Sequence, residues 1–114
     1  MAYDEILAKR VRLSVRNKPG VTERMMFGGI AFMLRGHMFV GVIERSLMAR
    51  VGPDNYESAL TRPGAREMDF TGKPMRGYVF VGPDALQKAS DLKRWVELCI
   101  AFVATLPGKA ATAK

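Results

Sequence analysis

The sequence predicts an α+β fold: a single antiparallel sheet with the helices on one face of it. Three observations carry that expectation. An apolar repeat at helical spacing opens the chain, short β-branched, aromatic and methionine runs divided by glycine fill residues 21–51, and a second apolar helical stripe lies near the end. The turns between the runs of the first half are too short to hold crossover helices, which excludes a parallel, doubly wound sheet.

Residues 3–17 read as an amphipathic helix. Tyr3, Leu7, Val11 and Val15 repeat on one side, while Glu5, Lys9, Arg12 and Arg16 fall on the other. Asp4 is placed to cap the start, and Asn17, Lys18, Pro19 and Gly20 supply the stop. Strands follow over 22–27, 30–35, 38–44 and 47–51. The tightest turn is expected at Arg35, Gly36 and His37, where Gly36 supplies positive φ, and Glu44, Arg45 and Ser46 form a second turn.

Gly52 and Pro53 end that segment, and Asp54 is suited to cap a short helix that reaches Leu60 and is closed by Pro63 and Gly64. Residues 65–70 read as a short edge strand, Thr71 to Pro74 as a turn, and 75–81 as a strand in which Gly77 marks close packing or a bulge. After Gly82 and Pro83, Ser90 or Asp91 can cap a last helix. There Leu92, Trp95, Val96, Cys99, Phe102, Val103 and Leu106 share one face, with Lys93, Arg94 and Glu97 on the other. One domain is expected over residues 1–108, with 109–114, rich in Ala and Lys, a disordered tail.

The chain has 114 residues, enough for one hydrophobic core and too few for two. Its 48% hydrophobic and 25% charged residues exclude a disordered or collagen-like chain. No apolar run approaches the roughly 20 residues that cross a bilayer. With Asp4 and Glu5 at the start and Cys99 the sole cysteine, the expectation is a cytoplasmic protein without a membrane partner or an intrachain disulfide. The 18 Lys and Arg against 11 Asp and Glu give a net charge of +7, which suits nucleic acid or acidic proteins and equally serves solubility.

Candidate chemistry is sparse. Gly28 and Gly29 could approach a phosphate with bare backbone, but no G-x-G-x-x-G pattern accompanies them, and a bulge or strand corner is the simpler reading. Gly72 and Lys73 fail as a P-loop, because Glu67 stands where its first glycine belongs and Pro74 where it needs Ser or Thr. His37 is the sole histidine and has no neighbouring His or Cys with which to bind a metal. Glu67 and Asp69 fit a solvated edge strand, Cys99 fits the apolar core, and Ser46 and Ser90 lack an elbow motif. No catalytic, metal or cofactor site is assigned, and the chain is expected not to be an enzyme.

Two surfaces remain as binding candidates. Lys9, Arg12 and Arg16 project together from the first helix with Lys18 in the loop beyond, a stripe that could sit on phosphates, although Glu5 can pair with Lys9 across one turn. Met25, Met26, Met33, Met38, Met48, Met68 and Met75 are more than a small core needs as gap-fillers. If the strands alternate regularly, part of Met25, Phe27, Met38 and Val40 lies exposed on the face the helices leave uncovered.

Met26, Phe27, Gly28 and Gly29 followed by Ile30, Ala31 and Phe32 resemble the signature of the TfoX/Sxy N-terminal domain. Residues Leu47 to Pro53, Phe70 to Tyr78, and Leu92 with Trp95 resemble its later blocks, so the likeness runs from Tyr3 to Pro107. The resemblance implies a secretion-chaperone-like α+β fold, an antiparallel curved sheet flanked by helices, and supplies no catalytic residues. It matches the first half of competence regulators of that family, and the domain is expected to stand alone without their C-terminal domain. The functional expectation is a non-enzymatic protein-interaction module, an accessory to transcription or competence regulation, with Met25, Phe27, Gly28, Gly29 and Met38 at its partner surface and a homodimer as one form of partnership. The alternative is a sequence-independent nucleic-acid-binding domain using Lys9, Arg12, Arg16 and Lys18.

Overall fold

The computed structural model describes residues 3–26, 28–67 and 76–106. Their elements are α1 (Glu5–Ser14), β1 (Val21–Met26), β2 (Gly29–Leu34), β3 (His37–Ile43), β4 (Ser46–Arg50), α2 (Tyr56–Leu60), β5 (Ala65–Glu67), β6 (Tyr78–Val81) and α3 (Ala89–Val103). The six strands form one antiparallel sheet in the order β1-β2-β3-β4-β6-β5. The expected disordered tail at 109–114, the 71–74 turn, residues 68–70 of the expected edge strand, residue 75 of the strand after it, and Met68, Asp69 and Phe27 lie outside the described residues.

Turn chemistry explains the meander. Leu34 pairs with His37 across the two central residues Arg35 (φ 51) and Gly36 (φ 86), and positive φ at both matches the twist of the flanking strands. Ile43 pairs with Ser46, with Glu44 at φ 53. Where the chain leaves β4 it turns through Gly52 into a 3-10 segment at Pro53–Asn55 and then α2.

All three helices share one core with one face of the sheet. Leu7, Val11 and Val15 from the first helical segment, Tyr56 and Ala59 from α2, and Leu92, Trp95, Val96, Cys99 and Val103 from α3 pack with Ile30, Phe32, Val40, Val42, Leu47, Ala49, Val79 and Val81. The strand residues alternate as a half-buried sheet requires. A 3-10 segment at Pro83–Leu86, not anticipated from sequence, adds buried Leu86 to this core. The N-cap of α3 is Lys88 with no side-chain hydrogen bond, rather than Ser90 or Asp91.

A register shift after Phe32 corrects the expected pattern of exposure. Phe32 stands opposite Val40 but Met33 stands opposite Met38, so Phe39 is an extra residue in β3. The bulge directs the consecutive Phe39 and Val40 into the main core, both with no exposed surface. Met38 instead joins a smaller cluster with Met48, Phe80, Ile43 and Tyr78. Val40 is therefore not on an uncovered face.

The methionine patch expected on that face is largely absent as a patch. Met48 is 1% exposed and Met33 9%, because Ala31 and Gly41 leave a hollow that the flexible thioether of Met48 fills. A Cβ on Gly41 would lie 2.8 Å from Met48 Cε. These methionines pack, and Met25 is the exposed one among the described residues.

A candidate interaction surface on α1 and β1

The first helix is fixed at both ends. Asp4 Oδ1 accepts hydrogen bonds from the backbone amides of Ile6 (2.9 Å) and Leu7 (3.2 Å), so Asp4 is the cap its position suggests. The Asp4 amide donates to the Glu44 carbonyl at 2.7 Å, which holds the start of α1 at the end of β3. Near the other end, Arg12 donates to Glu23 of β1 through Nε (2.6 Å to Oε2) and Nη2 (2.8 Å to Oε1). Because β3 ends beside the end of β1 through the β2 ladder, α1 runs antiparallel to β1. Arg10 points elsewhere, donating to the carbonyls of Leu86 (2.6 Å) and Gln87 (3.3 Å) before α3.

The Arg12–Glu23 fork changes both partners. Its hydrogen bond holds the Glu23 carboxyl below the ordinary carboxylate range against a smaller opposing effect of desolvation, and raises Arg12. Of the four cations expected to form a phosphate-binding stripe, Arg12 is thus neutralised by a carboxylate. Lys9, Arg16 and Lys18 are exposed and have no ion pair among the described residues; the Glu5–Lys9 pair that the spacing allows is not formed.

Three large apolar side chains are exposed among the described residues: Ile6 at 74%, Leu13 at 54% and Met25 at 65%. All three lie on α1 and β1. Ile6 and Leu13 are two turns apart on one outward stripe, with Lys9 one turn beyond Ile6; Arg16, expected on this helix, lies in the turn after α1 ends at Ser14. Met25 lies two residues past Glu23 on the helix side of β1, since it stands opposite Ile30 of the main core. Arg24, opposite Ala31, faces the other side. Ile6 gathers with Asp4, Arg10, Arg45, Pro83 and Leu86 around a small pocket, so the Ile6–Leu13 stripe lies on the Arg10 side of α1, whereas Arg12 and Met25 lie on the β1 side. The candidate flank is the outer face of α1 together with the edge strand β1.

This flank carries Lys9, Arg12 and Met25 from the two expected binding sets. Met38 does not join them, because it is half-buried on the opposite face of the sheet. Gly28 is exposed at φ 74 in the β1–β2 turn, and Gly29 is buried, with a built Cβ falling 2.2 Å from the Val42 carbonyl oxygen. That crowding accounts for the double glycine as a strand corner. Sequence reasoning missed Ile6 and Leu13, although both stand off the Tyr3, Leu7, Val11, Val15 stripe and could have been found there.

Other candidates hold less. A cleft of about 440 Å³ at the start of α3 is lined by Arg62, Asp84, Asp91, Arg94 and Trp95, with the Arg62 guanidinium 5.2 Å from the centre of the Trp95 ring; its two cations and two carboxylates offset each other. Cys99 is buried, and desolvation pushes its thiol far above the ordinary range, away from the reactive thiolate. His37 is half-buried at the start of β3. Among the described residues no group of three His, Cys, Asp or Glu gathers as a metal site, and no helix is long and apolar enough to cross a membrane.

Comparison with curated proteins and with solved structures returns no match in either case. Comparison with protein families matches the TfoX N-terminal domain over residues 14–103, a span that takes in the whole described sheet and α3, and the chain therefore belongs to the TfoX N-terminal domain family.

Proposed function

We propose that this domain is a non-enzymatic protein-interaction module with an accessory, regulatory role, and that its partner seats on the α1–β1 flank. The observation that carries this reading is the concentration of Ile6, Leu13 and Met25 on two adjacent elements. Single exposed apolar residues are ordinary on a protein surface, but three gathered beside unpaired cations suit a partner with apolar anchors and acidic neighbours. The test is affinity capture with the wild-type domain and with an Ile6→Ser, Leu13→Ser, Met25→Ser variant, followed by titration of the purified partner. Loss of anchor residues should weaken binding at least about tenfold, with an unchanged melting temperature. Equal binding by both proteins would overturn the assignment of the surface.

A second reading, phosphate contact by the same flank, is favoured by Lys9, Arg16 and Lys18 being exposed and unpaired among the described residues. Three such contacts would make affinity for duplex DNA fall roughly 40-fold between about 50 and 200 mM salt. Fluorescence anisotropy of the wild type beside a Lys9→Ala, Arg16→Ala, Lys18→Ala variant measures this directly. Salt-sensitive binding that the variant lacks would place nucleic acid ahead of protein.

A further inference from the structure

We infer that β1 is a docking edge for an extended, acidic segment of the partner, which adds to the sheet as a seventh, hetero-strand beside β1. This inference rests on the flank reading and names the partner's chemistry and mode. β1 pairs with β2 on one side and, among the described residues, with nothing on the other, so a row of backbone N–H and C=O groups faces outward over six residues. Thr22, Glu23, Arg24 and Met25 are all exposed, so both faces of β1 reach solvent.

The charges of the edge select among occupants. Glu23 is already committed to Arg12, so its carboxylate does not repel an incoming acid. Arg24 remains without an ion pair among the described residues, on the face away from the helices, and exposed Lys18 stands three residues before β1 begins. A strand laid along β1 therefore meets the Arg24 cation on one face and exposed Met25 on the other. The complement is a segment that alternates carboxylates with apolar residues.

A second copy of this chain fits worse. Twofold-related antiparallel strands in one continuous sheet keep each side chain on its own face, so residues opposite one another must have the same parity. The two longest registers of β1 on itself then place Glu23 against Glu23 or Arg24 against Arg24. In the second of these registers the Arg24 cations, without an ion pair among the described residues, stand directly opposite and destabilise pairing, whereas a carboxylate at that position would attract.

The test uses the whole chain, isotopically labelled, with three probes: a soluble peptide alternating Glu and Val, the same peptide with Lys in place of Glu, and an acidic Leu/Glu peptide that folds as a helix. The Glu/Val peptide should bind, shift the backbone amides of β1, and exceed the Lys/Val peptide at least about tenfold in affinity. Arg24→Gln should reduce that preference and Arg24→Glu should reverse it, in proteins whose melting is unchanged. Of two Glu/Val versions N-methylated on alternate amides, at least one should lose binding, because strand pairing uses one edge of the peptide.

Failure of the Glu/Val peptide to bind by about 1 mM, or undiminished binding by both N-methylated versions, would overturn strand addition. Preference for the helical peptide, with shifts confined to α1, would overturn strand addition while leaving the flank as the partner surface. Partner binding by the Ile6, Leu13, Met25 variant at full strength would instead remove the reading on which the inference rests.

Discussion

Replacing Gly52 with alanine is expected to cost this small domain a large share of its stability. Gly52 has φ 87 and ψ 158, a region that glycine alone occupies readily, and forcing a side chain there costs about 1–3 kcal/mol. The added Cβ would also lie 2.4 Å from Phe102 Cδ1 and within 2.9 Å of two further ring atoms. That ring is half-buried and sits 5.5 Å from the Arg50 guanidinium, so displacing it is an overpacking cost of about another 1–3 kcal/mol. A total near 4 kcal/mol compares with roughly 6–17 kcal/mol for the whole fold at this length. With an unfolding entropy scaled to chain length it lowers Tm by about 17 °C. Denaturant titration followed by fluorescence of buried Trp95 reads the change. In a Phe102→Ala background the steric part disappears, leaving about 1–3 kcal/mol for Gly52→Ala. A cost under about 1 kcal/mol in the wild type would refute the backbone argument, and equal costs in the two backgrounds would refute the clash.

Three further outcomes follow from the same packing. Glu23→Gln should lower stability by about 0.5–1 kcal/mol near neutral pH, because the fork is partly exposed and screened. Since the folded carboxyl is held below its unfolded value, the contribution is present above the unfolded range and lost as pH falls through the folded one; the gap between wild type and variant should close below about pH 4, and a gap that widened there would contradict the pairing. Cys99, buried and with its thiol raised, should react with a thiol reagent at least about 100-fold more slowly in the native protein than in denaturant, whereas equal rates would place it at the surface. Phe39→Ala should cost about 3–5 kcal/mol and Met38→Ala about half that or less, measured by chemical denaturation, with the reverse ranking contradicting the bulge.

The elements were legible because their signals are local. Asp4 as a helix cap, the positive φ at Gly36, and the break at Gly52 each depend on a few neighbouring residues and their backbone preferences. The apolar stripe of α3 was equally plain, down to Leu92, Trp95, Cys99 and Val103. What failed was the step from alternation to exposure. One extra residue in β3 puts Met38 and Val40 on opposite faces, where a regular strand would keep them on one, and nothing in the residue types from His37 to Ile43 announces it.

For the candidate site the division is similar. The sequence alone determined the α+β class, the helices and turns, the resemblance now matched over residues 14–103, and the basic character of α1, since these follow from composition, period and short-range chemistry. The tertiary structure decided that Arg12 is claimed by Glu23, that Met33 and Met48 pack while Met25 does not, and that β1 is an open edge strand. Those facts depend on which strands are neighbours and how α1 lies across them. Such long-range pairings are set by the packing of the whole chain, and no window of residues contains them.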